Sequence, residues 1–85
     1  SDSMAIGAIR ALKEENIAVP DECAVMGFDG IDLGAYTEPR LTTVRQPAYE
    51  LGEEAVESLI SLINGQKNFE CHKVLDLELL IRDSA

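Results

Sequence analysis

Apolar residues recur along the chain at two different spacings, and the switches between them mark out its elements. After Asp2, the residues Ala5, Ile6, Ile9, Leu12 and Ile17 follow mostly at steps of three and four, with Arg10, Lys13, Glu14 and Glu15 between them. That spacing predicts an amphipathic helix. Ser1 or Asp2 can cap its first turn, and Val19-Pro20 is expected to end it, because proline disfavours helical geometry in the residue before it. After a turn at Pro20-Asp21-Glu22, residues 23–28 ("CAVMGF") predict a short strand buried on both faces. A helix followed by a buried strand indicates an α/β fold.

Gly27 and Gly30 bracket Phe28-Asp29, so the backbone can turn tightly there or approach a ligand closely. A short helical turn is expected over 31–36, and Pro39 stops it before a second strand at 41–44, whose β-branched residues suit an extended chain. The second long helix, 49–64, has the clearest signals. Pro47 fits its first turn, Glu50, Glu53 and Glu54 complement the positive end of its dipole, and Asn64-Gly65 supplies a left-handed stop. Leu51, Ala55, Val56, Leu59, Ile60, Leu62 and Ile63 form one broad apolar face. After a polar link, the alternation in 72–82 predicts a final strand with Leu75, Leu77, Leu79 and Ile81 on one face and Asp76 and Glu78 on a wet one.

Charge narrows the functional classes. Sixteen acidic residues against seven basic give a net charge of -9, so the phosphates of a nucleic acid would be repelled by this segment rather than bound directly. The longest apolar runs are a few residues, far short of the roughly 20 that span a bilayer, and the first residues carry no basic-then-apolar export signal. A soluble, cytoplasmic setting without a membrane partner is expected. A hydrophobic share of 46% and a charged share of 27% are globular proportions, but in 85 residues a solitary core is marginal. Cys23 and Cys71 are too few for a disulfide framework, and no further Cys or His completes a tetrahedral shell around Cys71-His72. Packed thiols are expected, with no metal and no cofactor.

The candidate chemistry lies between the first two strands, in "GFDGIDLGAYTEPRLTTVRQP" (27–47). In open α/β sheets ligands bind outside the carboxyl ends of the strands, and Asp29 sits at such an end in a glycine-flanked turn. It is either a ligand-binding carboxylate or a cap for its own turn. Asp32 reads as a cap for the helical turn that follows. Gln46, just past the second strand, offers a donor and an acceptor and can reach the same crevice, or can cap the helix after it. Thr42 and Thr43 read as strand residues. No nucleophile stands with a base and an orienting acid, and His72 is far in sequence from the acidic loop. A binding module is expected, not an enzyme.

The pieces "SDSMAIGA", "VPDECAVMGFD", "PRLTTVRQP" with "LGEEAV" after it, and the closing "LIRDSA", in this order and at these separations, closely resemble the C-terminal part of LacI/GalR-family transcriptional regulators. The resemblance covers essentially the whole chain. It implies a fragment, 1–85, of an effector-binding region built like the two-subdomain (type I) periplasmic sugar-binding proteins, with 1–46 and 71–85 in the C-terminal subdomain and 47–70 in the N-terminal one. It implies a small-molecule effector, a sugar, held by Asp29 through a hydrogen bond, with Gln46 at the crossover between subdomains and Ser1 at a position often occupied by asparagine. Self-association as a homodimer or higher oligomer is implied through Ile6, Arg10 and Tyr36. DNA would be bound only by a helix-turn-helix that this sequence does not contain. "PRLTTV" departs from the family in having Arg40 where a second proline is common. The alternative is part of an exported sugar-binding protein that serves a transporter.

Overall fold

The computed structural model describes residues 1–65 and 76–85. The Cys71-His72 pair and the first part of the expected final strand lie outside the described residues. The elements run in the order α1 (Asp2–Glu14), β1 (Met26–Asp29), a 3-10 turn (Asp32–Ala35), β2 (Thr42–Arg45), α2 (Ala48–Ile63) and β3 (Glu78–Leu80). Together they form the mixed α/β arrangement that the sequence predicts. The chain divides into two compact units, Ser1–Gln46 with Leu77–Ala85, and Pro47–Asp76.

The first unit is built on a three-stranded sheet in the order β1-β2-β3. β1 and β2 are parallel, with Met26 opposite Thr42 and Asp29 opposite Arg45. A parallel pair needs a crossover of about a dozen residues, and the segment 30–41, with its 3-10 turn, supplies it. β3 runs antiparallel to β2, pairing Thr43 with Leu80 and Arg45 with Glu78.

α1 starts as expected: the Ser1 hydroxyl accepts a hydrogen bond from the Met4 amide at 3.3 Å. It stops earlier than Pro20 would dictate. Asn16 adopts a left-handed φ of 58°, and the amides of Asn16 and Ile17 turn back to the carbonyls of Lys13 and Leu12. These two bonds satisfy the last carbonyls of the helix, which therefore ends at its own cap rather than at the proline. β1 also differs from expectation. Gly27 is buried, but Met26 and Phe28 are 56% and 42% exposed, so among the described residues only one face of the strand is covered. β3 is likewise shorter than the alternation suggests, and Leu77, Leu79 and Ile81 are exposed while Leu80 is half-buried.

Apolar burial is small. Ala5, Ile9 and Leu41 form the core, with Ile6, Val19 and Val25 packed partly against it. Among the described residues the largest fully buried side chains are Leu41, Thr43, Asp2 and Ser84, so three of these four are polar and each needs partners. They have them: among the described residues no buried side-chain polar atom is unsatisfied. Ser84 donates to the Val25 carbonyl at 2.7 Å and accepts from the Thr42 amide at 2.8 Å. The Thr42 hydroxyl donates to the Ala85 carbonyl and accepts from the Arg82 amide. Ser84 and Thr42 thus stitch the C-terminal residues onto β1 and β2.

In the second unit, α2 runs close to its expected limits, with Pro47 at its N-cap, Asn64 at its C-cap and Gly65 at a φ of 80°. None of its residues is buried.

Candidate functional site

Parallel pairing of β1 with β2 brings their carboxyl ends side by side, with Asp29 opposite Arg45. This is where an open α/β sheet presents groups to a ligand. Asp29 has a φ of 148°, a region that side chains other than glycine rarely adopt, and Gly30 follows at 79°. Backbone held this way costs about 1–3 kcal/mol and persists only where neighbouring contacts impose it. Gly30 cannot carry a side chain: a Cβ there would run into the backbone of Arg45. The sequence's bracketing glycines therefore mark a real constraint.

Gln46 is tied to Asp29 at two points. Its amide donates to the Asp29 carbonyl at 3.0 Å, and its side-chain Nε2 donates to Asp29 Oδ1 at 2.8 Å. Both residues are half-buried. With one Nε2 hydrogen and Oδ1 engaged in this bond, the pair still offers Asp29 Oδ2 and Gln46 Oε1 as acceptors on adjacent strand ends, together with the second Nε2 hydrogen as a donor. The arrangement suits a partner that both donates and accepts hydrogen bonds, with acceptors in excess. Arg45 beside it is paired with Glu78 at 3.4 Å, both largely solvated.

The first turn of α1 meets the same place through Asp2. The side chain is fully buried. Its Oδ2 accepts from the amides of Gly30 at 2.9 Å and Ile31 at 2.8 Å, and its Oδ1 accepts from the Thr43 hydroxyl at 2.5 Å. Gly27 makes room for this carboxylate, since a Cβ at Gly27 would overlap Asp2 Oδ1 and press on Leu41. Sequence reasoning gives Asp2 only a capping role and Thr43 only a strand role. The residue-type signal that points further is an acidic residue opening a helix whose cap is already supplied by the serine before it.

The structure thus brings Asp29 and Gln46 together and anchors the turn between them to the start of α1, where Ser1 sits with its hydroxyl used as the helix cap. Asp32 opens the 3-10 turn but does not cap it; the N-cap is Ile31, whose side chain offers no acceptor, and the turn is closed by the backbone bond from the Gly34 amide to the Ile31 carbonyl. Tyr36 closes the 3-10 turn and is 84% exposed. Ile6 lies half-buried against the core, and Arg10 is exposed and paired with Glu14 along α1. A separate groove of about 420 Å³, lined by Ile9, Lys13, Ile17, Val19 and Pro39 among others, contains neither Asp29 nor Gln46.

Residues 1–85 match the sequence model of the periplasmic binding protein-like domain. The chain belongs to that family. Within it, the relatives are LacI-type transcriptional regulators. The repressor CytR of Escherichia coli (strain K12) is 42% identical over 84 residues, covering 99% of this chain and 25% of the repressor. The structure of the transcription regulator CcpA of Lactococcus lactis superposes with a TM-score of 0.90 at 31% identity, over 98% of this chain and 31% of CcpA. A LacI family regulator from Arthrobacter, solved in complex with lactose, superposes with a TM-score of 0.81 at 37% identity, over 95% of this chain and 31% of that one. This periplasmic binding protein-like chain therefore spans about a quarter of the length of the curated relatives it matches. No helix among its described residues is long and apolar enough to cross a membrane.

Proposed function

We propose that this chain is the effector-binding and self-associating part of a LacI-type transcriptional repressor that acts in the cytoplasm, and that its effector is a sugar or similar polyol. The Asp29–Gln46 pair carries the reading. Two acceptors and one remaining amide donor, held at neighbouring strand ends by a 2.8 Å side-chain bond, are matched by ligand hydroxyls, which both donate and accept, and a phosphate or carboxylate would meet the Asp29 carboxylate there. The lactose complex of the Arthrobacter regulator supports the same ligand class. The role is binding, not catalysis: the regulators it resembles work by linking effector binding to DNA affinity, and DNA is reached in the longer protein through a helix-turn-helix.

In that longer protein, 47–70 belongs with the N-terminal subdomain, and 1–46 with 71–85 forms the C-terminal one. The division of the chain at Gln46 and Pro47 supports the first boundary. Ser1 lines the same crevice beside Asp29, and Ile6, Arg10 and Tyr36 form part of a homodimer surface, for which the high exposure of Tyr36 is the support.

The test is calorimetric titration of the whole regulator with a panel of mono- and disaccharides. Asp29→Ala is expected to weaken binding of the recognised sugar about 5- to 150-fold, the equivalent of losing about 1–3 kcal/mol of hydrogen bonding. Asp29→Asn should be milder, because one acceptor remains. Unchanged affinity in Asp29→Ala would remove Asp29 from the site.

A further inference from the structure

The unfavourable backbone of the Asp29 turn needs a cause, and three observations converge on one residue outside the pair. The two amides that follow Asp29, those of Gly30 and Ile31, both point to Asp2 Oδ2, at 2.9 and 2.8 Å. The other carboxylate oxygen is held from the opposite side by the Thr43 hydroxyl. The carboxylate occupies a notch that only a glycine at position 27 leaves open. Asp2 is fully buried, so its orientation is set by these partners and not by solvent.

We propose that Asp2, oriented by Thr43, is the positioning residue of this turn: by receiving the Gly30 and Ile31 amides it sets the direction in which the Asp29 carboxylate and the Gln46 carboxamide face a ligand. Asp2 does not touch the ligand itself. The turn has few other ways to satisfy two consecutive amides that point the same way, and one carboxylate oxygen accepts both. Because Asp2 opens α1, the same bonds couple the turn to the first turn of the helix, so helix and ligand group move as one body. The consequence for binding rests on the reading of Asp29 and Gln46 given above; the positioning itself does not.

The experiment is amide hydrogen exchange followed by NMR, on the whole regulator that contains this chain, comparing the wild type with Asp2→Ala, Asp2→Asn and Thr43→Val. In Asp2→Ala the amides of Gly30 and Ile31 should exchange at least about tenfold faster, since each loses a charged acceptor. The side-chain amide signals of Gln46 should shift as its contact with Asp29 loosens, while the amides around Ile9 and Leu41 keep their protection. Asp2→Asn should restore both signatures to near wild-type values: its carbonyl oxygen can take the two backbone donors while its NH2 group donates to the Thr43 oxygen. A fold-only role would not be rescued in this local pattern. Unchanged exchange at Gly30 and Ile31 in folded Asp2→Ala, or an Asp2→Asn protein as perturbed as Asp2→Ala, overturns the proposal. If Asp2→Ala does not fold, Thr43→Val decides: the same two amides should exchange about threefold faster, and unchanged exchange overturns it. No ligand enters this measurement, so its failure is distinct from a failure of Asp29→Ala to weaken sugar binding.

Discussion

α1 and α2 are both amphipathic, yet they meet different fates. The first buries Asp2, Ala5 and Ile9 within thirteen residues. The second is longer and richer in Leu, Ile and Val, and none of its sixteen residues is buried. Leu59 and Ile60 are 58% and 51% exposed, against 5% for Ile9. An apolar stripe is therefore only an offer of burial, and a complementary surface must accept it. α1 finds that surface in β1 and in Leu41; α2 buries none of its own residues. The part of the chain that carries the candidate site is also the part whose interior is closed, largely by polar groups with assigned partners.

The largest predicted effect tests this contrast with one kind of substitution in two helices. Ile9→Ala removes a buried side chain from the small apolar core and should destabilise the first unit by about 2–5 kcal/mol. Leu59→Ala removes a side chain that is already solvated and should change stability by less than about 0.5 kcal/mol in the 85-residue chain. Urea unfolding of both variants measures it. A Leu59→Ala cost comparable to that of Ile9→Ala would mean that the face of α2 is covered in solution, and sedimentation at micromolar concentration would then tell whether a second copy covers it.

Next in size is Ser84→Ala. The serine hydroxyl bridges the Val25 carbonyl and the Thr42 amide at a fully buried position. Its loss leaves two main-chain groups without that partner in the interior, which should cost about 1–3 kcal/mol. The same change at Ser58, whose hydroxyl only returns to the Glu54 carbonyl within α2, should be neutral within about 0.5 kcal/mol. Thermal unfolding of the pair extends the contrast between the units from apolar to polar contacts.

How much of this was legible in the sequence follows the range of the interactions. The limits of α2 are set by Pro47 and Asn64-Gly65, signals that act within a turn, and they read correctly. The end of α1 did not, because two local signals competed and Asn16, in its left-handed conformation, closed the helix before Pro20 could. The place of Asp29 at a strand end, in a turn constrained by glycine, was legible from its flanking glycines. Asp2 was not, since its partner amides lie 28 and 29 residues away and no spacing rule connects them. Burial on both faces of β1 failed for a related reason: an apolar run records what a strand can tolerate, whereas its coverage depends on layers elsewhere. The polar interior was the least legible feature, because Thr42, Thr43 and Ser84 carry nothing in their local sequence to distinguish a buried bridge from a solvated strand residue.

The smallest predicted effect lies at the surface of the first unit, where Arg40 meets Asp83 through Nε at 2.8 Å and a second guanidinium nitrogen at 3.3 Å. The hydrogen bond from Arg40 holds the Asp83 carboxyl below its usual value, against a smaller opposing effect of desolvation, and the same bond raises Arg40. A carboxyl whose folded value is depressed stabilises the fold fully above its unfolded value, about 3.9, and loses that contribution as pH falls through the lower folded value. Arg40 stays protonated throughout. The melting temperature of Asp83→Asn should therefore sit slightly below wild type at neutral pH, with a gap that does not change upward from about pH 5 and closes as acid protonates Asp83. Added salt should narrow the gap at neutral pH, because both side chains are about half exposed and surface pairs are screened. The backbone bonds from the Asp83 and Ser84 amides to the Arg40 carbonyl survive the substitution, so the C-terminal residues should remain docked. A gap that persists unchanged in acid would assign the role of Asp83 to packing, and would leave the closure of the first unit to Ser84 and Thr42 alone.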